Sequence, residues 1–162
     1  MQINYRIDSS EVEAALRQAP AAMQGALGAA LDRSAIEVSR LARRLAPKAT
    51  SLLTNSITWR RTGPLEREVT AGAQYAAAVE RGSSPGGMPP VQSIRDWVRA
   101  AGVRPRDARM DEDDLAYLIA RSIRFRGTRA QPFMEPARRQ SERRVQRLLA
   151  AGVATGLRRA GL

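Results

Sequence analysis

A chain of mixed helix and sheet is what this sequence predicts: a small antiparallel sheet carrying one long helix from each half. Ser56 to Arg61 alternates around Ile57 and Trp59, Glu66 to Ala71 centres on Val69, and the turn signal Thr62-Gly63-Pro64 joins them as a hairpin. Apolar residues recur at helical spacing from about Pro20 to Leu45 and again from Pro136 to about Arg159. Between hairpin and last helix lies Gly127 to Ala137, where Pro132 and Pro136 bracket Phe133-Met134-Glu135. A proline pushes the residue before it out of the α region, so this turn is expected to be extended and to pin the C-terminal helix to the sheet, the alternative being a plain loop with a core phenylalanine.

Taken in order, Met1 to Ile7 alternates Ile3, Tyr5 and Ile7 with polar residues and reads as a short strand. Ser10-Glu11-Val12-Glu13 matches a capping box, which predicts a short helix stopping before Pro20. Pro20 suits the first position of the next helix. That helix places Leu27, Leu31, Val38, Leu41 and Leu45 on one stripe, bridged by Ser34 and Ala35, and Pro47 ends it. Gly25 and Gly28 weaken its early turns by about 1 kcal/mol each relative to alanine, and either permit close packing or mark a break. Pro47 to Leu53 reads as a polar turn, and Ala73 to Glu80 as a third strand or a one-turn helix.

Arg81 to Pro90, with its glycines, prolines and serines, is a loop. Pro90 opens a helix from Val91 to Ala101 with Val91, Ile94, Trp97 and Val98 on one face, and Gly102 closes it. Asp111-Glu112-Asp113-Asp114 sits where carboxylates favour the positive end of a helix dipole. Leu115, Leu118, Ile119 and Ile123 follow on that helix, which ends near Phe125 before Gly127. Adjacent helical positions point apart, so the four acids do not converge on a metal. On the last helix Val145, Leu148, Leu149, Val153 and Leu157 form the expected apolar face. The organisation expected is one domain over residues 1–162, with a loop-plus-helical insertion at 82–126 and a basic C-terminal helix at 136–162.

The chain has 162 residues, enough for one core. Only 4% are aromatic and much of the apolar content is alanine, so that core is expected to be thin, or completed by a neighbouring subunit. Histidine and cysteine are both absent. Their absence removes disulfides, Cys/His zinc sites, thiol nucleophiles and histidine bases. No GxSxG, phosphate loop or paired carboxylate is present, so no catalytic residues, cofactor or metal are expected and the reading is non-enzymatic. No apolar run spans a bilayer and no signal peptide is readable, which leads to an expectation of use in a reducing cytoplasm.

The net charge is +11, from 27 basic and 16 acidic residues, and every basic residue but Lys48 is arginine. A high-GC genome explains arginine over lysine but not the excess of base over acid, which suggests a polyanion nearby. From Arg121 to Leu162 eleven arginines meet two glutamates, a segment charge of +9. Arg121, Arg124, Arg126, Arg129, Arg138, Arg139, Arg143, Arg144 and Arg147 are the candidates for contact with phosphates or with acidic residues of a partner. A merely solvated face is the third option. No aromatics are interleaved with them, so base stacking is not expected, and no recognition helix is readable.

The order of short motifs gives a resemblance. Leu45-Ala46-Pro47-Lys48-Ala49-Thr50-Ser51-Leu52-Leu53-Thr54-Asn55-Ser56-Ile57 is followed by the hairpin, then by Tyr75-Ala76-Ala77-Ala78-Val79-Glu80-Arg81-Gly82-Ser83, then by Gln131-Pro132-Phe133-Met134-Glu135-Pro136-Ala137. This resembles the tail-completion, or neck, proteins of long-tailed bacteriophages, over roughly residues 25 to 140. The helices Pro90 to Val98 and Leu115 to Ile123 resemble an insertion in minor tail and virion-morphogenesis relatives. The matching positions are Pro47, Thr50, Leu53, Ser56, Ile57, Tyr75, Val79, Glu80, Gly82, Gln131, Pro132, Phe133 and Pro136. One departure is Thr50-Ser51 where the family has Thr-Gly, so a turn needing positive φ is relaxed or shifted.

The resemblance implies an α+β fold and a structural role at the head–tail junction of the virion. It implies a homo-oligomeric ring, sixfold or twelvefold, around the DNA channel. The partners implied are connector or head-closure proteins, tail terminator or tail tube proteins, and the genomic DNA passing through, with no membrane. Ser83 to Pro89 would be a docking arm ordered on assembly, and deleting Ser83 to Met88 would leave the monomer folded. A small basic DNA-binding protein without sequence preference is the main alternative, and a toxin-like or tRNA-binding protein a more distant one. The DNA-binding alternative explains the charge but not the Pro-Phe-Met-Glu-Pro turn or the hairpin.

Overall fold

The computed structural model describes residues 3–6, 21–48 and 51–160. The fold is α+β. Strand β1 (Ile3–Arg6) precedes the long helix α1 (Ala21–Leu45) and the short helix α2 (Ser51–Ser56). The hairpin β2 (Ile57–Gly63) and β3 (Glu66–Ala71) follows. Helices α3 (Ala76–Arg81), α4 (Val91–Ala101), α5 (Glu112–Arg126) and α6 (Met134–Ala160) complete the described chain. The expected helix from Ser10 to before Pro20, like Pro20 itself as the first position of the next helix, lies outside the described residues.

The sheet has the order β1-β3-β2 and is antiparallel throughout. Central β3 pairs Val69 with Trp59 on one side and with Tyr5 on the other. A register shift between Arg61 and Gly63 marks the hairpin turn. The third strand is therefore the N-terminal one, and Ala76–Arg81 takes the helical alternative.

The main core gathers Ala35, Val38, Ala42 and Ala46 of α1 with Leu53, Ile57, Val69, Ala71, Phe133, Met134 and Ala137. A second cluster joins Leu27 and Leu31 to Leu65, with Leu149 and Val153 packed against it. Helix α1 thus serves both the sheet and α6. Leu45, expected on its stripe, is 37% exposed. Of the twenty buried apolar residues described, ten are alanine, so contact depends on backbones lying close rather than on large side chains.

That closeness puts small residues at the centre of the expected face of α6. Its fully buried residues are Met134, Ala137, Ser141, Gly152 and Gly156, while Val145, Leu149 and Val153 pack half-buried against the two clusters and Leu148 and Leu157 are half-buried. A Cβ on Gly152 would stand 2.6 Å from the Ala30 Cβ, and one on Gly156 would stand 2.9 Å from the Met23 Cα. Gly25 has open space around it and Gly28 faces the hairpin, so α1 is unbroken and the close approach comes from the other helix. Gly152→Ala should cost about 1 kcal/mol in urea unfolding, the overpacking of roughly 1–3 kcal/mol exceeding the roughly 1 kcal/mol of helix propensity gained. A variant more stable than its parent would show that the two helices separate freely.

Pro47 to Leu53 is not a simple turn. Ser51–Ser56 forms a helix that buries Leu53, and the hydroxyls of Thr54 and Ser56 donate to the carbonyls of Ser51 and Leu53 at 2.9 and 2.8 Å. A helix of six residues is too short to show periodicity, and its polar composition reads as loop. Thr50 lies outside the described residues. Ser51 is helical, and among the described residues every positive φ belongs to glycine, so the expected turn is relaxed.

Helices α4 and α5 pack on each other. Val98, Ala116 and Ala120 are buried between them, and Gly102 closes α4 in the left-handed conformation at φ 64°. No residue of this pair belongs to either core cluster among the described residues. Trp97 and Leu118, expected on apolar faces, are 37% and 46% exposed.

Candidate functional site

The turn carrying Phe133 is built from a carboxylate distant in sequence. Residues Met134 onward would leave their first N–H groups without partners inside the helix. Glu80, at the end of α3 and buried, supplies them. Its Oε2 accepts from the N–H of Phe133 at 2.7 Å and of Met134 at 2.9 Å, and its Oε1 accepts from that of Glu135 at 2.9 Å. The next position is Pro136, which has no N–H to satisfy. A negative group also belongs at the positive end of the helix dipole.

The expectation of an extended Pro-to-Pro path fails for this reason. Helix α6 starts at Met134, two residues before Pro136, because a proline is tolerated in a first turn. Phe133 then enters the core fully buried. The N–H of Gln131 donates to the Val79 carbonyl at 2.7 Å, so α3 holds the incoming segment as well as the helix. Val79 packs half-buried on the core, and Pro132 and Gln131 themselves are exposed.

The neighbouring residues make a clasp at the base of the insertion. Ser83 and Thr128 exchange both backbone hydrogen bonds at 3.0 Å, and their hydroxyls are 3.0 Å apart. Gly82 and Gly127 flank the bridge at φ 74° and φ 70°. A Cβ on Gly127 would lie 1.9 Å from the Ser83 oxygen and one on Gly82 2.6 Å from that of Thr128, so both positions require glycine. The Gly86 N–H donates to the Arg124 carbonyl at 2.7 Å. Ser83 to Pro89 is therefore tied to the end of α5 rather than free as an arm, and deleting Ser83 to Met88 would remove the clasp.

Of the other motif positions, Leu53 and Ile57 are buried in the core, Pro47 and Ser56 are half-buried, and Tyr75 is the residue before α3. The Tyr75 side chain does not cap that helix. Arg43, on α1, donates from Nε and Nη2 to the Ile57 carbonyl at 3.0 and 2.6 Å, tying helix to sheet.

The candidate arginines divide into two groups. Arg121, Arg124, Arg126 and Arg129 lie on or just past the end of α5, all exposed, with the Arg121 guanidinium 5.9 Å from the centre of the Phe125 ring. Arg138, Arg139, Arg143, Arg144 and Arg147 lie exposed on the first half of α6. Glu135 accepts from Arg138 at 3.0 Å and from Arg139 at 2.6 Å. Hydrogen bonds from Arg138 and then Arg139 lower its carboxyl to about 2. These two arginines are partly neutralised. Arg143, Arg144 and Arg147 pair with no carboxylate among the described residues.

Sequence reasoning missed a buried charge cluster. Arg67, 2% exposed, forms an ion pair with Asp32 of α1, and Arg61 binds the same carboxylate from the exposed side. Arg67 also donates to the carbonyls of Gly63, Glu66 and Gly28 at 3.1, 2.8 and 3.1 Å, which fixes the hairpin turn to the helix. On the sheet's other face Arg60 pairs with buried Glu68 at 2.6 Å. The acidic run behaves as helix-start chemistry: Asp111 caps α5 and accepts from the N–H groups of Asp113 and Asp114, Glu112 pairs with Arg99, and Asp113 with Arg95.

Among the described residues no helix is long and apolar enough to cross a membrane. Compared with known proteins, the chain matches no family model, no curated protein and no solved structure.

Proposed function

We propose that this chain is a structural protein of the head–tail junction of a long-tailed bacteriophage, a neck or tail-completion subunit with no enzymatic activity. In this reading copies close into a ring around the DNA channel and bridge connector and tail proteins. The observation that carries it is the meeting of two motifs on which the resemblance rests: Glu80 of Tyr75-to-Ser83 caps the helix opened by Gln131-to-Ala137. That contact gives a physical reason for the two motifs to occur together across the insertion. A core half made of alanine suits a subunit that buries further surface in an assembly.

The arginines of α6 supply the second part. A ring repeats Arg143, Arg144 and Arg147 in every copy, so individually weak contacts with phosphates add. The same three unpaired cations favour the alternative, a free DNA-binding protein. The two differ in solution. Three counterions released per chain give a log–log salt slope of about −2.7, or about 40-fold weaker duplex binding between 50 and 200 mM salt. The neck reading expects little affinity from the isolated chain for duplex DNA. It expects gold-labelled antibody against this chain to mark the head–tail junction of particles from the producing phage. Label absent from every tailed particle, together with tight and steeply salt-dependent duplex binding, would favour the alternative.

A further inference from the structure

Helix α5 has an outer face that the rest of the described chain does not cover. Asp111, Asp114, Leu118, Arg121 and Phe125 follow one another at spacings of three, four, three and four, the heptad spacing of a seam between two helices. All five are exposed, Leu118 at 46% and Phe125 at 64%, whereas the opposite side of the helix buries Ala116 and Ala120 against α4. An isolated exposed leucine needs no explanation, but an apolar pair on a charged heptad seam is a different matter.

The charges on the seam are segregated. Asp111 caps the helix and Glu112 to Asp114 fill its first turn, whereas Arg124 and Arg126 lie in its last turn and Arg121 one turn earlier. A second α5 laid parallel would set acid on acid and base on base. Laid antiparallel about Leu118, it sets each acidic end beside the other's basic end and opposes the two helix dipoles. In that register Leu118 meets its counterpart on the two-fold axis. Arg121 comes within one residue, about 1.5 Å of helix rise, of the point opposite the partner's Asp114. Phe125 lies over the other copy's Asp111 cap.

The groups needed are available. Asp114 makes only a 3.3 Å contact from the Asp111 N–H through one oxygen, which leaves acceptor capacity for a guanidinium. Arg121 pairs with no carboxylate among the described residues and is held only over its own Phe125 ring. The pattern is self-complementary, as an isologous contact requires. We infer that two copies of this chain pair antiparallel through the outer face of α5, with Leu118 at the centre and two reciprocal Asp114–Arg121 ion pairs. The contact is independent of ring closure: it would join one ring to another, or two free subunits. One helix pair is a small interface, so the pairing is weak alone and gains from copies already held near each other.

The chain contains no cysteine, which makes the test direct. Leu118→Cys should form a disulfide-linked dimer under mild oxidation at least tenfold faster than Ala151→Cys, an exposed position on α6. Arg121→Asp should abolish the cross-link when added to Leu118→Cys, because acid then faces acid. Mixing that variant with Asp114→Arg in the Leu118→Cys background should restore it, since each then offers the charge the other lacks. Cross-linking at equal rates from positions 118 and 151 would overturn the inference and leave this face to a partner of another kind. Cross-linking unaffected by Arg121→Asp would overturn the antiparallel register.

Discussion

Glu80→Ala is expected to lower the unfolding free energy by about 3–5 kcal/mol. The truncation leaves the N–H groups of Phe133, Met134 and Glu135 without acceptors, the first two of them buried. Each unsatisfied buried donor costs roughly 1–3 kcal/mol, and the three are coupled, so the total falls short of their sum. Water can reach the Glu135 N–H more easily, which limits the loss further. In a chain of this size the change corresponds to a fall in Tm of about 10 °C. Urea unfolding should show a lower midpoint with an unchanged slope. Glu80→Gln keeps one acceptor oxygen but turns an amide N–H toward the helix end, so about half the loss is expected. A fall below about 1 kcal/mol for Glu80→Ala would mean that α6 frays at its start and that the two motifs are not energetically linked.

The elements with local signals were legible in the sequence. Glu66–Ala71 and Val91–Ala101 have the boundaries that alternation and the Pro90/Gly102 punctuation give them. Asp111 caps α5 as its acidic run suggests. What was not legible depends on partners distant in the chain. Glu80 and Phe133 are separated by 53 positions and a helical insertion, and nothing local marks Glu80 as a cap. The Phe133 turn was singled out, but its prolines pointed to extended backbone, and only the remote carboxylate makes a helix start there. On α6 the large residues do mark a face that packs, but the closest approach falls on Gly152 and Gly156, which set it by what they lack. Arg67 did leave a signal. It stands two residues before Val69, hence on the same side of β3, and a cation on the core face must find an acid. The acid, Asp32, lies off the apolar stripe of α1, and nothing local distinguishes it from the other charged residues there.

Asp32 therefore carries the second large expectation. Asp32→Asn preserves shape and removes the charge that holds buried Arg67, and it should cost about 2–4 kcal/mol at pH 7. Breaking a buried ion pair from one side typically costs about 3–5 kcal/mol. The lower range applies because Arg67 keeps its bonds to the carbonyls of Gly63, Glu66 and Gly28. Burial raises the Asp32 carboxyl, but hydrogen bonds from Arg61 and Arg67 and their charges outweigh it, leaving the group below its ordinary value. A depressed folded value means the contribution is complete above the unfolded value, about 3.9, and is lost as pH falls through the lower folded value. The stability gap between parent and Asp32→Asn should accordingly be widest near neutrality and shrink below about pH 4. Because Arg67 holds the hairpin turn against α1 through the same guanidinium, amide exchange at Gly63 to Arg67 should quicken in the variant more than exchange in α4 or α5, which lie outside both core clusters. A gap that is the same at pH 3 and pH 7 would show that the Asp32 charge does not hold Arg67 in place, and that the turn rests on the carbonyls alone.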